Sequence, residues 1–260
     1  MLGECHISFF ILSSLYFSLT LSILGRYSDL GVSANLHISF YPPYINLRCG
    51  HSNIVLHRKL YNDQKNKNIM IEDLNTLDRM LQNINHPFLH NSEQPMSKED
   101  LLDILISTHL YPRSDLITFY SWKGGINGSS IFNNNYIELC SYGCSIDMRS
   151  AVSLYLLDQA TQKSLNQVLP IIQSNSGDFI GIDLNENSCN FGKLLVSSPS
   201  ITLSDKLVTI YDSLHSFVKT ILECYKLKVY VLNESVLIVD YEKEAEISRI
   251  LNPISDFWKE

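Results

Sequence analysis

Between residues 169 and 196 the chain alternates short apolar runs with polar clusters. Leu169–Ile172, Phe179–Leu184 and Lys193–Val196 are separated by Ser, Asn, Gly and Asp, the pattern of two or three buried strands joined by tight turns. Upstream, Ile71, Leu74, Leu77, Leu81 and Ile84 recur at helical spacing, with Glu72, Asp73, Asp78 and Arg79 between them, and predict a helix over 69–84. His86-Pro87 ends it, because proline disfavours helical geometry in the residue before it. Ser97 to Asp100 reads as a capping box, with the Ser97 hydroxyl offered to orphan amides and Asp100 reaching back. The apolar helix that follows carries Leu101, Leu102, Ile104, Leu105 and Ile106 and stops at Leu110-Tyr111-Pro112. A second helix is predicted from Arg113 to Trp122, closed by Gly124-Gly125. Further on, residues 131–140 read as loop and strand, and 147–162 as a helix. The clearest amphipathic pattern runs from Leu207 to Tyr225. A hairpin is expected around Asn233-Glu234-Ser235, then a final charged helix from Tyr241 stopped at Pro253. Helices mixed with a strand meander, without strict βαβ alternation, predict an α+β fold with an antiparallel or mixed sheet and flanking helices.

The first third of the chain reads differently. Residues 5–25 carry no charge, but Ser8, Ser13, Ser14, Ser18, Thr20 and Ser22 dilute the apolar run, and Glu4 stands where a secretory signal wants Lys or Arg. Three readings stay open: a poor signal or anchor, a buried core segment, or a start codon placed too far upstream. Secretion and a membrane role are disfavoured, so a cytoplasmic location is the expectation. Tyr41-Pro42-Pro43-Tyr44 breaks any element there, and residues 62–68 have the composition of a polar linker. The loop Asn91 to Pro95 is the natural boundary. It divides an N-terminal extension, 1–96, from a domain, 97–260.

Charge narrows the partner. The net charge is −7. Residues 1–96 hold seven basic and seven acidic side chains, whereas 97–260 hold 13 Lys and Arg against 20 Asp and Glu. Such a domain repels phosphate backbones, so nucleic acid is a poor partner and a basic protein a better one. The six Cys, at 5, 49, 140, 144, 189 and 224, are neither dense enough for a stapled domain nor spaced for zinc. They read as reduced, buried thiols. Cys49-Gly50-His51 lacks the second ligand pair that zinc requires.

The candidate chemistry is weak throughout. Asp178 and Asp183 invite a general acid/base proposal, but five residues apart on a strand they point to opposite faces. Asp183 to Asn187 superficially matches a calcium loop, without the glycine and the terminal glutamate aligning. The glycines at 124, 125 and 128 follow a helix, whereas a phosphate loop leads into one. Cys224 and His215 lack a local signature of nucleophile and base. Trp122, at a helix end, reads as core or as an interface anchor. The expectation is therefore a non-catalytic protein with no metal and no cofactor.

Several stretches, taken in order, resemble the SMI1/KNR4 (SUKH) family: "LYPRSDLITFYSWKGG", "LPIIQSNSGDFIGIDLNE" with "FGKLLV", and the helix "IYDSLHSFVKTILECY". The tail "VLIVDYEKEAEISRILNPISDFW" is similar to an extension on bacterial members. Two departures stand out. Val168 occupies the place where a Trp often precedes the Gly-Asp turn strand, and nothing in 1–96 matches. The resemblance covers roughly 97–260. It implies an α+β fold without catalytic residues. It also implies an immunity protein that neutralises a toxin domain, often a nuclease, of a polymorphic or contact-dependent system. The fungal branch, which coordinates cell-wall signalling, leaves a regulatory scaffold as the alternative. Trp122, Asp178, Asp183, Asn185 and Glu186 are the expected partner-binding residues.

Overall fold

A computed structural model describes residues 18–22, 35–39, 53–131, 138–160, 167–198 and 206–259, with side chains from residue 68 onward. The chain divides into two compact units, Met1–Arg58 and Lys59–Glu260. In the first, β1 (Ser18–Ser22) pairs antiparallel with β2 (Asn35–Ser39), Ser18 opposite Ser39. Only 18–22 of the apolar stretch 5–25 is therefore described, as a strand. The rest of it, and Cys49-Gly50-His51, lie outside the described residues.

Helix α1 spans Asn53–Asn83, which corrects the expected linker at 62–68. That segment contains neither Gly nor Pro, so its polar composition is compatible with a helix rather than a break. α2 (Pro87–Asn91), α3 (Lys98–Ser107), α4 (Ser114–Trp122) and the short α5 (Gly128–Ile131) follow. At the start of α3, Ser97 Oγ accepts from the Asp100 amide at 3.1 Å and donates to Asp100 Oδ2 at 2.7 Å. The Asp100 carboxylate thus reaches the Ser97 hydroxyl.

A five-stranded antiparallel sheet runs in chain order: β3 (Cys144–Ser145), β4 (Val168–Gln173), β5 (Phe179–Asp183), β6 (Leu194–Ser197), β7 (Val208–Tyr211). β4 is buried along its whole length, as its continuous apolar run requires of a strand covered on both faces. Its register with β5 shifts between Pro170 and Ile172, where proline supplies no ladder donor. Helix α6 (Met148–Ala160) packs on β4, and α7 (Leu214–Lys226) packs on β7 and on the hairpin β8 (Tyr230–Asn233) and β9 (Val236–Val239). α8 (Tyr241–Leu251) lies against α7, and a final turn, Phe257–Lys259, against β7.

The amphipathic pattern from Leu207 begins as a strand. Val208 to Tyr211 is a β-branched and aromatic run that suits a pleated surface, and the helix starts only after the Ser213 capping box. The other correction concerns the boundary at 91–95. Met70, Leu74, Leu77, Leu81 and Phe88 are at most 2% exposed and belong to the same core as the sheet. Asp73 meets His215 at 2.9 Å, and Asp78 meets Lys123 at 3.0 Å. The supposed linker is stitched down: Glu93 N donates to Gly125 O at 2.7 Å, and Gly124 N to Glu93 O at 3.1 Å. The division between units lies at residue 58 instead.

Candidate functional site

The expected contact residues fall in three places. Trp122 ends α4, stacked on Phe88 at 6.0 Å and tilted against Phe119, half-buried against the core. Asp183 is buried at the far end of β5. Its Oδ1 accepts from Asn185 N at 2.9 Å, and Asn185 Oδ1 accepts from Asn187 N at 3.0 Å. These consecutive side-chain turns shape the β5–β6 loop, and they leave Glu186 exposed. Asp178 sits at the opposite end of β5, roughly 17 Å away at strand rise. There its Oδ2 accepts from Ser176 Oγ at 3.0 Å, and its backbone carbonyl takes the Ser174 amide at 2.9 Å.

Of the five, Asp178 lines a cavity of about 510 Å³ together with Glu138, Tyr142, Tyr241, Glu244 and Trp258. Local structure places each wall. The turn Cys140–Gly143 closes with Gly143 N donating to Cys140 O at 3.0 Å. Gly143 has φ +113°, and a Cβ there would fall 2.1 Å from Gln173 O, so only glycine lets this turn press on the end of β4. The turn presents Ser141 and Tyr142. Asp240 caps α8, its Oδ1 accepting from Lys243 N at 3.2 Å, and Tyr241 and Glu244, three residues apart, share one helix face. Trp258 is anchored by its indole N–H on Ile210 O at 2.7 Å, and Arg249 Nε donates to its carbonyl at 2.8 Å.

Glu244 is the unusual group, a carboxyl only 2% exposed. Ser141 Oγ donates to its Oε1 at 2.5 Å, and the Tyr230 hydroxyl donates to the same oxygen. Burial holds its pKa above the ordinary carboxylate value, and the two hydroxyls draw it partly back. Around it, burial first and the Glu244 charge second raise the phenols of Tyr142, Tyr211 and Tyr230. The Tyr211 hydroxyl is buried without a hydrogen-bond partner among the described residues. No Lys, Arg or His lines the cavity among the described residues. Carboxyls and aromatic rings in such a setting can hold a cation.

Sequence reasoning missed Glu244, Tyr142, Tyr241, Trp258 and Glu138. One signal was available: Glu244 lies three and seven residues before Ile247 and Leu251, on the stripe that α8 turns inward.

A larger cleft of about 720 Å³ lies between the starts of α3 and α6 and includes Asp100, Asp103, Asp147 and Arg149. Asp147 is occupied as the cap of α6, accepting from the Arg149 and Ser150 amides at 3.0 Å and from Ser150 Oγ at 2.5 Å. Cys140, Cys144 and Cys224 are buried free thiols, whereas Cys189 is exposed in the β5–β6 loop, contrary to its expected burial; Cys5 and Cys49 lie outside the described residues. Burial pushes the Cys224 thiol up to about 12, opposite to the shift that activates a nucleophile, and His215 pairs with Asp73 instead. Among the described residues, no group of His, Cys, Asp and Glu could hold a metal ion, and no helix is long and apolar enough to cross a membrane.

The chain matches no protein-family model and no curated protein.

Proposed function

We propose that this chain is a non-catalytic, protein-binding domain of the SMI1/KNR4 type that acts in the cytoplasm as an immunity protein, neutralising a basic toxin domain. The observation that carries this reading is the cavity bearing Asp178: it is lined by Glu138, Asp178 and Glu244 with three aromatic rings. A net charge of −7 gives the whole chain a field that draws a basic partner towards that face and disfavours acidic competitors. The antiparallel meander and the capped α7 fall on the stretches whose order resembles that family, which supports the same reading. Masking a toxin asks for shape and charge, with no bond made or broken.

The test is affinity capture with the full-length chain as bait, at low and at moderate salt, followed by an activity assay on the purified partner. A single stoichiometric basic protein, released as salt rises and silenced by an equimolar amount of this chain, is the expected result. A partner whose activity is unaffected would overturn the immunity role. A salt-indifferent mixture of partners would favour a regulatory scaffold.

A further inference from the structure

We infer that the cavity beside Glu244 receives a single arginine side chain presented by the protein partner, an assignment that rests on the protein-binding reading above. Three observations converge on it. First, Glu244 is a carboxyl 2% exposed that nevertheless lines open space. Two hydroxyls satisfy one of its oxygens, Oε1, and no cationic side chain among the described residues contributes to the cavity. A buried carboxyl is costly without a cationic partner, so the free protein holds this group ready for one. Second, the remaining acids are spread out. Glu138, Asp178 and Glu244 line one cavity, yet among the described residues no set of such groups could hold a metal ion. That spacing suits an elongated cation entering past the outer carboxylates, with its charge ending at Glu244. Third, the walls are aromatic. Tyr142 and Trp258 meet edge to face at 6.4 Å, and Tyr241 is 69% exposed beside them.

Guanidinium fits these conditions better than ammonium. It is less strongly hydrated, it stays charged when buried, it stacks on aromatic rings, and its planar fork matches a carboxylate. In the proposed pose its N–H groups donate to Glu244 Oε2, the stem lies along Tyr142 and Trp258, and Asp178 flanks the entrance.

The experiment titrates the ¹⁵N-labelled full-length chain with glycine-flanked peptides carrying arginine, lysine or citrulline, following the Trp258 indole N–H, with that of Trp122 as an internal control. The arginine peptide should shift the Trp258 signal saturably and leave Trp122 still. Lysine should bind several-fold more weakly, and citrulline, isosteric but neutral, should not bind. Asp178→Asn and Tyr241→Ala should each weaken arginine binding about tenfold, and Glu244→Gln should abolish it. Because Glu244 is buried, the two rim variants keep the test sound should the Gln variant misfold. Equal shifts from citrulline or lysine, insensitivity to both rim variants, or binding of spermidine with the arginine peptide silent would each overturn the inference. A captured toxin neutralised equally well by wild type and Asp178→Asn would sink this site while leaving the immunity role standing. Arginine binding without any neutralised partner would do the reverse.

Discussion

His86 makes the stability of this fold sensitive to mild acid. The residue is 1% exposed, and its Nδ1 accepts the Phe88 amide at 3.1 Å as the cap of α2. The ring proton therefore sits on Nε2, which faces the Tyr225 hydroxyl at 3.0 Å, while that hydroxyl donates to Leu139 O at 3.1 Å. A second ring proton would have to point at the Phe88 N–H, in a place buried from solvent. Burial accordingly depresses the pKa from 6.5 to about 4. The unfolded chain then binds a proton that the folded one refuses. This contribution to stability is whole above pH 6.5 and is lost as pH falls towards 4. Each pH unit between those two values corresponds to about 1.4 kcal/mol. The full loss is therefore about 3 kcal/mol, of which about 2 kcal/mol is gone by pH 5. That is a large part of the stability of an ordinary domain. The assay is urea unfolding of wild type and His86→Asn at pH 7, 6, 5 and 4. Asn retains the capping oxygen and does not titrate, so subtracting the two series cancels the carboxylates common to both proteins. The gap between them should close by about 3 kcal/mol from pH 7 to pH 4. A gap that stays constant, or a His86 resonance titrating near 6.5 in the folded protein, would refute the argument.

Deleting residues 1–96 should leave a fragment that does not fold. It strips five fully buried apolar side chains from the core, on the order of 10 kcal/mol of burial, and a cooperative urea transition in 97–260 would contradict this. Glu244→Gln should gain on wild type as pH rises, because a folded pKa held above the unfolded one gives stability that is complete below about 4.5 and lost through the folded value. Denaturation midpoints that keep a fixed separation from pH 4 to 8 would count against it. Gly125→Ala should cost about 2–4 kcal/mol, since φ is +84° and its Cβ would stand 2.4 Å from Ile146 O. An unchanged melting temperature would show that this turn relaxes freely.

What could be read from the chain followed local chemistry. The strands near 169–196 announced themselves through apolar runs set between turn residues, and α8 through the charged run from Tyr241 and its stop before Pro253; the Asp240 cap was not foreseen. Val208 to Tyr211 escaped because a strand that feeds directly into an amphipathic helix extends the apolar pattern without a break. The helical stretch at 62–68 escaped because a polar helix without Gly or Pro and a linker share a composition. The site was harder. Asp178 was visible as an acid in a turn, but its partners Glu138, Tyr142, Glu244 and Trp258 come from other segments. The pairing of β4 with both β3 and β5, the packing of α8 on α7 and the seat of Trp258 on β7 bring them together. Grouping Asp183 with Asp178 failed for a simpler reason: a strand separates its two ends, and a buried turn acid looks like any other acid in a sequence.

The largest misreading, a boundary at 91–95, bears directly on the site. His86 lies between α1 and α2, and its contact with the Tyr225 hydroxyl fixes the group that holds Leu139 O. Leu139 N and Cys140 N both donate to Gly143 O, at 2.9 and 3.1 Å, so the same bonds seat the turn carrying Ser141 and Tyr142. Ser141 in turn donates to Glu244. Hydrogen bonds joined by short stretches of backbone therefore connect the segment after α1 to the floor of the cavity. The residues before 97 do more than enlarge the core, because they hold the turn that lets a buried carboxyl face open space. A bait cut at residue 97 would lose the partner along with the fold, so a negative capture with that fragment would say nothing about function.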